Sequence, residues 1–508
     1  MMPALATVAG RSLTELLVGV ATLTPAEERL VAHLTLDSRQ VVPGTLFAAT
    51  SGAQRHGLEF VEDVLRQGAV AILWEPDSRF DPSAAERACT AAGVPLLRVP
   101  ELGRKLSFIA GRFYEEPSRQ LALVGITGTD GKTSVSQFIA QALSVDRPCG
   151  VIGTLGYGLL GSLLPPTHTT PDAITVQGLL KSMQQQGARH AAMEVSSHAL
   201  AQGRVAALRF QVAVLTNLSR DHLDYHGSEA AYAAAKAELF SMPGLEHAVL
   251  NQDDAFGRHL QKNLPSSVQA LTYSIDPRSR GADLSCRELR HRPDGLDLLL
   301  NTPAGPAALS LPLLGRFNAA NALAALGALL ALGLPLADAI VRLERLQPVA
   351  GRMQRLGGDG LPSVVVDYAH TPAALAAALD AVRQHTIGRV WCVFGCGGDR
   401  DRGKRSQMGA VADRGADEVV LTDDNPRSED PDAIVADILA GIERREPFIV
   451  RDRAAAIRLA LEHAEPIDLV LIAGKGHENY QIIGDQRLAF DDVAVARAVL
   501  EERATWTR

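Results

Sequence analysis

The sequence predicts an α/β protein with three domains. We expect a small N-terminal α/β domain over residues 1–100, a central domain with a P-loop-type, mostly parallel sheet over 101–345, and a C-terminal Rossmann-like α/β domain over 346–508. Three observations predict this fold. The 508 residues exceed what a single hydrophobic core organises. An apolar strand, a glycine turn and an amphipathic helix follow one another from residue 121 to 144. In the last third of the chain, apolar segments alternate with helical patterns at the spacing of βαβ units.

The first hundred residues alternate short strands and helices. Strands are predicted in the segments LTLDSR, GTLFAAT, AVAILWE and VPLLRVP, and a helix near residues 60–67. Asp37, Ser38 and Arg39 follow the first of these strands, where their side chains could hydrogen-bond a polar ligand. A plain turn explains the same three residues equally well, so the sequence leaves both interpretations open.

The stretch LALVGITGTDGKTSVSQFIAQALS predicts a cradle for nucleotide phosphates. Gly128 and Gly131 let backbone N–H groups close around an anion, and the N-terminus of the following helix adds positive potential. Lys132 can reach the outer phosphates, and the Thr133 hydroxyl can bind Mg²⁺. The motif is shorter than the common P-loop, which has glycine where this chain has Ile126. A glycine turn without a ligand is the alternative, but GKT between a strand and a helix is uncommon by accident.

Two polar residues follow other strands of the central domain. Glu194 lies at the end of the strand before SSH, and His222 lies in the loop LSRDHLDYH after the strand VAVLT. Both are expected at the carboxyl edge of a parallel sheet, where a carboxylate, an imidazole and the Thr133 hydroxyl could hold Mg²⁺. The alternative for Glu194 is a buried acid satisfied by hydrogen bonds, and the alternative for His222 is a capped turn. Lys236 is unusual on the alanine-rich helix YAAAK, although a lysine whose stem extends to water would also explain it.

The strands of the C-terminal domain are each followed by polar residues. The five segments are SVVVDYAHTP, RVWCVFGCGGDRDRGKR, EVVLTDDNPRSED, PFIVRDR and DLVLIAGKGHENY. In parallel strands these groups would meet at one edge of the sheet and form a pocket for a small zwitterion, with arginine binding a carboxylate and glutamate an ammonium group. The alternative treats the clusters as turns, which suits RDR but not DDNPR and GKGHE together. The expected edge residues are Asp367, His370, Arg400, Asp424, Asn425, Arg427, Arg451, Gly474, Lys475 and Glu478.

Composition limits the classes of function. A net charge of -8 and a pI near 6.0 argue against a general affinity for nucleic acid. The five cysteines are an odd set without metal-ligand spacing, which suits reduced thiols in a cytosol. The longest apolar run, about residues 319–336, is interrupted and too short to span a bilayer. We therefore expect a cytoplasmic protein, without membrane insertion or a nucleic-acid partner, and we expect a monomer.

The motifs together resemble the Mur ligase family, the ATP-dependent amino-acid-adding enzymes of peptidoglycan precursor synthesis. They occur along nearly the whole chain in the family's order: GTDGKTS, TTPD, MEVSSH, NLSRDHLDYH, YAAAK, LLGRFNAAN, DYAHTP, FGCGGDRDRGKR, DNPR and GKGHE. The pattern is most similar to members that add meso-diaminopimelate to UDP-N-acetylmuramoyl-L-alanyl-D-glutamate. The resemblance implies that a substrate carboxylate attacks the γ-phosphate of ATP and that the diaminopimelate amine then attacks the acyl phosphate. Because acyl phosphates hydrolyse, we expect the third domain to close over the second.

The resemblance implies site residues in three groups. ATP phosphates would lie on Gly128, Thr129, Asp130, Gly131, Lys132, Thr133 and Ser134, and adenosine near Asn318, Arg352, Asp367 and His370. The UDP-sugar peptide would contact Leu36, Ser38, Ala53, Gln54, Arg55, Thr169, Thr170, Ser196, Gln202 and Arg204. Diaminopimelate would contact Arg400, Asp424, Asn425, Pro426, Arg427, Gly474 and Glu478. At Asp130 this chain departs from the family's commoner Asn.

Two residues gain specific roles from the resemblance. Lys236 matches the lysine that family members carry as a carbamate, which would bind a second Mg²⁺ together with Glu194 and His222. The implied catalytic residues are Lys132, Glu194, His222 and Lys236, and the implied metal ligands are Thr133, Glu194, His222 and Lys236. Arg427 belongs to the DNPR motif of diaminopimelate-adding members, whereas lysine-adding relatives depart from arginine there. A guanidinium fork is suited to binding the distal carboxylate that distinguishes diaminopimelate from lysine.

Two other functions stay open at the level of the sequence. One is a related ligase with another acceptor, either lysine-adding or of the folylpolyglutamate type. The other is a nucleotide-switched binding module without covalent chemistry. The amino-acid pocket and the combination of Glu194, His222 and Lys236 argue against a switch, because a switch would not require them.

Overall fold

The computed structural model describes residue 6 and residues 8–52, 55–279, 281–444 and 446–506. The chain divides into two compact units. The first unit comprises Met1–Ser274 with Ala324–Ala339, and the second comprises Ile275–Leu323 with Ile340–Arg508. The three-domain bounds expected from the sequence divide the chain differently and stay a prediction.

The N-terminal part of the first unit is a small α/β layer. Its elements are β1 (Arg11–Ser12), α1 (Leu13–Leu16), β2 (Leu30–Val31), β3 (His33–Thr35), β4 (Thr45–Ala49), α2 (Val61–Arg66), β5 (Ala69–Trp74), α3 (Ser83–Ala92), β6 (Leu96–Arg98) and α4 (Leu102–Phe113). Strands β3, β4, β5 and β6 form a parallel sheet in that order, and β1 pairs with β2 in antiparallel fashion. The four strands and the helix predicted here are therefore confirmed.

The rest of the first unit is built on a larger sheet. Its elements are β7 (Ala122–Thr127), α5 (Lys132–Leu143), β8 (Cys149–Gly153), β9 (Gly156–Leu159), α6 (Ala173–Gln185), β10 (His190–Glu194), α7 (Ser197–Ala201), β11 (Val212–Leu215), α8 (Leu223–His226), α9 (Glu229–Ala237), β12 (His247–Asn251), α10 (Ala255–Asn263) and β13 (Gln269–Ser274). The strand order is β13-β12-β11-β7-β10-β8-β9. All neighbours are parallel except β8 and β9.

Strand β7 lies between β10 and β11, inside this sheet. Its residues Leu123, Val124 and Ile126 have no exposed surface, as the apolar run in the sequence predicts. Because β7, β10 and β11 are parallel, the polar residues that follow them come out at one edge of the sheet. This register positions the site described below.

The second unit begins with an antiparallel meander and continues with a parallel sheet. Its elements, with the two helices that the division crosses, are β14 (Leu284–Arg292), β15 (Gly295–Thr302), β16 (Gly305–Leu311), α11 (Arg316–Ala331), α12 (Leu336–Leu343), β17 (Gln354–Gly357), β18 (Ser363–Asp367), α13 (Pro372–Arg383), β19 (Val390–Phe394), α14 (Gly403–Gly415), β20 (Glu418–Leu421), α15 (Pro431–Leu439), β21 (Phe448–Ile449), α16 (Arg453–His463), β22 (Leu469–Ala473), β23 (Tyr480–Ile483), β24 (Gln486–Ala489) and α17 (Asp492–Trp506). The main sheet has the order β17-β18-β22-β19-β20-β21. Only β17 is antiparallel to its neighbour.

Both faces of this second sheet are covered. Val364, Val366 and Val470 belong to one apolar cluster, whereas Val365 and Leu471 belong to another, because successive side chains of a strand point to opposite faces. A parallel sheet buried on both faces is the Rossmann-like arrangement that the sequence predicts, and the five predicted strands are β18 to β22. Among the helices of the described residues, none combines the length and the apolar character needed to cross a bilayer.

Candidate active site

The loop after β7 has the strand–turn–helix geometry that the sequence predicts. Gly128 and Gly131 have φ angles of +150° and +82°, a region that favours glycine. A Cβ atom on Gly128 would lie 1.8 Å from Thr216 Oγ1, so only glycine fits there. Lys132 Nζ donates to the carbonyl oxygens of Gly128 and Thr129, each at 2.8 Å. The ammonium group therefore lies at the loop that would hold phosphate.

Residues after β11 hold this loop in place. Thr216 Oγ1 donates to Asp130 O at 2.6 Å, and Asp130 N donates to Asn217 Oδ1 at 3.0 Å. Thr129 N also donates, to Asn217 O at 3.0 Å. The amides of Thr129 and Asp130 are therefore already engaged. The amides of Thr133 and Ser134, in the first turn of α5, have no intrahelical acceptor. The sequence interpretation missed Thr216 and Asn217, although a polar pair directly after an apolar strand is the signal that marks them.

Glu194 is a buried acid with several donors around it. It is the last residue of β10 and has 1% of its surface exposed. Its Oε2 accepts from Thr133 Oγ1 at 3.0 Å and from Thr154 Oγ1 at 3.1 Å, while its Oε1 accepts from Thr154 N at 2.8 Å. A Cβ atom on Gly153 would lie 2.2 Å from Oε1, so glycine makes room for the carboxylate. The structure thus joins Glu194 to the predicted phosphate loop through Thr133, a pair of oxygen donors of the kind that Mg²⁺ binds.

Lys236 is buried beside the same loop. It lies on α9 with 1% of its surface exposed, and its Nζ donates to Gly128 O at 2.8 Å. The Nζ atom also lies 4.5 Å from the centre of the Tyr232 ring. Burial, together with the positive charge of Lys132, lowers the pKa of Lys236 to about 6. The alternative in which the stem of Lys236 extends to water is wrong, because the amine lies in the interior.

His222 lies in a cluster of histidines rather than in hydrogen-bond contact with Glu194. Its φ angle is +52°, and its amide donates to Asp221 Oδ1 at 2.8 Å. The centre of its ring lies 4.8 Å from that of His198. Within the part of the chain that the structure describes, no three His, Cys, Asp or Glu side chains come together as a metal site. The structure therefore brings Thr133, Glu194 and Lys236 to one loop, and the complete ligand set with His222 stays a prediction.

Five of the predicted contacts of the sugar peptide are linked by hydrogen bonds around the end of β10: Thr169, Thr170, Ser196, Gln202 and Arg204. Thr170 Oγ1 donates to Glu194 O at 2.7 Å and accepts from Ser196 N at 3.1 Å. Arg204 Nη1 donates to Thr170 O at 2.6 Å, and its Nη2 donates to Gln202 Oε1 at 2.6 Å. Thr169 Oγ1 lies 3.2 Å from Thr154 Oγ1, within hydrogen-bond distance. Four of these residues are thus joined to β10 by a chain of hydrogen bonds, and Thr169 reaches Glu194 of β10 through Thr154.

A cavity of about 690 Å³ lies over the N-terminal sheet. Leu36, Ser38 and Arg55, three predicted substrate contacts, line it together with Phe47 and Phe60. The Asp37–Arg39 segment is also a turn, since Asp37 Oδ1 accepts from Arg39 N at 3.0 Å. The turn interpretation is therefore confirmed, and ligand binding by this segment stays a prediction. Ala53 and Gln54, also predicted to contact the substrate, lie outside the described residues.

In the second unit, three polar side chains form a compact group after β20 and β22. Asn425 Oδ1 accepts from Lys475 Nζ at 3.1 Å and from Ile482 N at 2.9 Å, while its Nδ2 donates to Glu478 Oε2 at 3.0 Å. Lys475, which has no exposed side-chain surface, also donates to Glu478 Oε2 at 3.2 Å. These bonds fix the orientation of the amide and hold the Glu478 carboxylate in place. The predicted gathering of Asn425, Lys475 and Glu478 is confirmed.

Arg427 lies on the adjacent loop. Its φ angle is +53°, and its Nη1 donates to Gly398 O at 2.7 Å. A Cβ atom on Gly398 would lie 1.9 Å from the carbonyl oxygen of Pro426, so the loops after β19 and β20 touch there. Arg400 is exposed on the first of these loops. Gly474 lies close to a further predicted contact, since a Cβ atom on it would be 2.7 Å from Asp424 Oδ2.

The residues predicted to lie near adenosine belong to the second unit. The Asp367 carboxylate accepts from Met353 N at 2.8 Å and from Ala369 N at 2.9 Å, and burial raises its pKa. The guanidinium carbon of Arg352 lies 4.6 Å from the centre of the Tyr368 ring. His370 Nδ1 pairs with the Tyr368 carbonyl oxygen at 2.8 Å. Asn318 is buried and donates to Leu314 O at 2.9 Å.

Models of three protein domains match this chain. The model described as "Mur ligase family, catalytic domain" matches residues 30–114. The "Mur ligase middle domain" matches residues 126–329, and the "Mur ligase, glutamate ligase domain" matches residues 351–476. The three matches follow the order of the N-terminal, central and C-terminal parts of the fold.

Two relatives and one solved structure are similar over nearly the whole chain. A protein of Alkalilimnicola ehrlichii named UDP-N-acetylmuramoyl-L-alanyl-D-glutamate–2,6-diaminopimelate ligase is 55% identical, covering 94% of this chain and 97% of the relative. A protein of the same name from Pseudomonas aeruginosa is 52% identical, covering 95% and 98%. A solved structure with this name is 37% identical, with a TM-score of 0.72 over 98% of this chain and all of that one. The α/β fold class predicted from the sequence is confirmed.

Proposed function

The chain belongs to the Mur ligase family, and we propose that it adds meso-2,6-diaminopimelate to UDP-N-acetylmuramoyl-L-alanyl-D-glutamate at the expense of ATP. The observation that carries this proposal is the identity of 55% and 52%, over nearly the full length, with relatives named for that reaction. The product is an amide, and the step belongs to peptidoglycan precursor synthesis.

The first half of the reaction would take place at the loop after β7. A carboxylate oxygen of the D-glutamyl group attacks the γ-phosphorus of ATP, the bond to ADP breaks, and an acyl phosphate forms. Negative charge grows on the phosphate oxygens as the bond to ADP breaks. Lys132, whose Nζ lies 2.8 Å from two carbonyl oxygens of the loop, is the cation placed to offset this charge. The amides of Thr133 and Ser134, at the start of α5, would bind phosphate oxygens.

The metal would bind where Thr133 Oγ1 and Glu194 Oε2 lie 3.0 Å apart. Mg²⁺ held there would neutralise phosphate charge and make phosphorus more electrophilic. Glu194 is suited to this role because its other oxygen is held by Thr154 N, which fixes the direction of the carboxylate. We propose His222 as a further ligand, in keeping with the family pattern.

Lys236 would be carbamylated and serve a second Mg²⁺. A carbamate forms when a neutral amine attacks the carbon of CO₂ and releases a proton. The pKa of Lys236 is lowered to about 6, so its amine is mostly neutral at pH 7 and can react in this way. The carbamate would place a negatively charged oxygen donor beside Gly128, where the unmodified amine now donates to the carbonyl oxygen at 2.8 Å.

The second half of the reaction needs a correctly placed amine. The amine nitrogen attacks the acyl carbon, the bond to phosphate breaks, and a proton leaves the nitrogen. Glu478 and Asn425 would bind the amino-acid head group, and Arg427 and Arg400 would bind its carboxylates. The bonds from Lys475 to Asn425 and Glu478 favour this arrangement because they fix both side chains before the ligand arrives.

The nucleotide substrate would occupy the cavity lined by Leu36, Ser38 and Arg55. Its volume of about 690 Å³ lies within the range of pockets that take small organic ligands. We propose a cytoplasmic location, because the reaction consumes ATP and a nucleotide-activated sugar. We also propose a monomer, since one chain carries every group named above.

One assay tests the activity and its specificity. Purified protein is incubated with ATP, Mg²⁺, the UDP-muramoyl dipeptide and either diaminopimelate or lysine, and the product mass and released phosphate are measured. We expect addition of diaminopimelate and little addition of lysine. Arg427→Ala should lower kcat/KM for diaminopimelate roughly a hundredfold, the effect of losing a charge-assisted bidentate bond. Arg497→Ala, at an exposed arginine of α17, is the matched control and should retain wild-type values.

Three outcomes would contradict the proposal. Equal addition of lysine and diaminopimelate would favour a ligase with another acceptor. Nucleotide binding without any product would favour a nucleotide-switched binding module. Normal turnover by Lys236→Ala would remove the role proposed for the carbamate.

A further inference from the structure

Two loops of the second unit are joined along their length. Loop A is Gly397–Arg400, after β19, and loop B is Asn425–Glu429, after β20. Gly398 N donates to Asn425 O at 2.9 Å, and Ser428 Oγ donates to Asp399 Oδ1 at 2.8 Å. Loop A carries Arg400 and loop B carries Arg427, so the contacts between the loops set the spacing of the two guanidinium groups.

Glu429 lies at the centre of these contacts. Its side chain is 10% exposed and accepts from the backbone amide of Asp399, from Arg405 at 2.9 Å and from Arg402 at 3.0 Å. The hydrogen bond from Arg405 is the largest of the effects that lower the pKa of Glu429 to about 2. The carboxylate is therefore ionised at neutral pH.

Arg405 is the buried partner of the same carboxylate. Its side chain has no exposed surface, and besides Glu429 it binds Asp437 Oδ2 at 2.9 Å. Arg405 Nη2 also donates to Gly397 O at 3.3 Å, at the start of loop A. Glu429 and Arg405 thus form a buried brace that contacts both loops.

The backbone of loops A and B is strained at Asp399 and Arg427. Asp399 and Arg427 both have a φ angle of +53°, which is unfavourable for residues with a side chain. Such conformations persist only when the surroundings hold them. Glu429 holds one of them directly, because it accepts from the amide of Asp399. The backbone of Arg427 is held by β23 and the residue after it, since Arg427 N donates to Ile482 O at 3.1 Å and Gly484 N donates to Arg427 O at 2.8 Å. Glu429 is linked to Arg427 only indirectly, through Ser428, which follows Arg427 and donates to Asp399.

We propose that Glu429 is a positioning residue that determines selectivity for an amino acid with a second carboxylate. It acts through Asp399 and Arg405, which keep Arg427 and Arg400 at the spacing that a distal carboxylate requires. This inference rests on the proposed function. An amino acid without that carboxylate gains nothing from the brace, so the loss of Glu429 should affect diaminopimelate and spare lysine.

The test replaces the carboxylate of Glu429 by an amide of the same shape. Glu429→Gln should raise KM for diaminopimelate about tenfold, the effect of losing charge-assisted bonds at a positioning group, and leave kcat and KM for ATP within about twofold. The ratio of kcat/KM for diaminopimelate over lysine should fall about tenfold. The matched control is Asp437→Asn, which changes the other partner of Arg405, 45% exposed, and should retain the wild-type ratio.

The alternatives give different results. If the wild type adds diaminopimelate but Glu429→Gln leaves the ratio of kcat/KM for diaminopimelate over lysine unchanged, this inference is overturned and the proposed function stands. An equal fall of this ratio in Asp437→Asn would also overturn the inference, because the effect would then follow from Arg405 rather than from the contacts between the loops. A wild type that adds no diaminopimelate would refute the proposed function itself. If Glu429→Gln does not fold, Ser428→Ala removes one bond between the loops, and an unchanged ratio there would overturn the inference.

Discussion

Lys236 illustrates how burial changes the chemistry of a residue. The amine is enclosed by α9, the ring of Tyr232 and the carbonyl oxygen of Gly128, so its charged form loses hydration. A lysine with an ordinary pKa would be almost entirely protonated at pH 7, so very little neutral amine would be present to react with CO₂. Here the same amine is mostly neutral, since its pKa is lowered to about 6. The unusual reactivity proposed for Lys236 therefore follows from its position.

The lowered pKa of Lys236 predicts how stability depends on pH. Between about pH 6 and the ordinary lysine pKa, the unfolded chain binds a proton at Lys236 that the folded chain does not. Lys236 should therefore make the free energy of unfolding rise by about 1.4 kcal/mol per pH unit over this range. Urea unfolding in CO₂-free buffer at pH 6.5, 7.5 and 8.5 should show a steeper rise for the wild type than for Lys236→Met. Lys262→Met, at an exposed lysine of α10, should behave as the wild type, and parallel curves for all three proteins would contradict the prediction.

At the scale of elements, the unit from β7 to α5 depends on glycine for two separate reasons. Gly131 caps α5 with a φ angle of +82°, which glycine adopts at low cost. Gly128 also has a positive φ angle, but in addition it lies against the side chain of Thr216, which follows β11. The positive φ angles are a local requirement of the turn. The contact of Gly128 with Thr216 exists only because β11 is the neighbour of β7.

Replacement of these glycines separates backbone strain from the contact with Thr216. Gly128→Ala should lower the affinity for ADP about a hundredfold, because a Cβ atom 1.8 Å from Thr216 Oγ1 forces the phosphate loop to move. Gly187→Ala is the matched control, since Gly187 has a φ angle of +90° and a Cβ atom there would meet no atom of the described residues within 4 Å. Gly187→Ala should lower the free energy of unfolding by about 1–2 kcal/mol through backbone strain alone and leave the affinity for ADP unchanged. Calorimetric titration and thermal melts measure both effects, and wild-type affinity in Gly128→Ala would refute the account.

At the scale of the whole molecule, the two units carry different groups of predicted contacts. The first unit contains the loop Gly128–Ser134, Glu194, Lys236 and the cavity over the N-terminal sheet. The second unit contains loop A, loop B and the group of Asn425, Lys475 and Glu478. A ligand that binds only the folded form slows the local opening of the segments that it contacts. Each ligand should therefore protect its own part of the chain.

Hydrogen exchange measured by mass spectrometry tests this division. Diaminopimelate should slow exchange in loops A and B and leave residues 36–40 unchanged, whereas the UDP-muramoyl dipeptide should slow exchange at residues 36–40. Lysine is the matched control ligand and should protect loop B less, because it lacks the carboxylate that Arg427 would bind. Protection by diaminopimelate outside loops A and B, with none inside them, would refute the assignment of the amino-acid site.

Local patterns determined much of this protein. The apolar runs of β7 and of β18 to β22, the glycines after β7 and the polar residues after each strand are properties of neighbours in the chain, and periodicity reveals them. The edge clusters follow as well, because parallel strands end at one edge. The strands, the glycine turn after β7 and the group of Asn425, Lys475 and Glu478 hold in the structure without knowledge of any distant contact. No strand was predicted for β14–β16 or for the hairpin β23–β24, since their alternation is weak and partly exposed.

Only the tertiary structure decided which residues meet. Lys236 and Gly128 are 108 positions apart, and Asp130 and Thr216 are 86 apart, so their contacts depend on the order of strands in the sheet. Arg453, which the sequence places in a turn, is fully buried and pairs with Asp492, 39 positions away, at 2.7 Å. Burial and partner choice set the charge of a side chain, and both depend on packing that no local pattern encodes. The sequence therefore determined which chemical groups are present, and packing determined their charges, their directions and their partners.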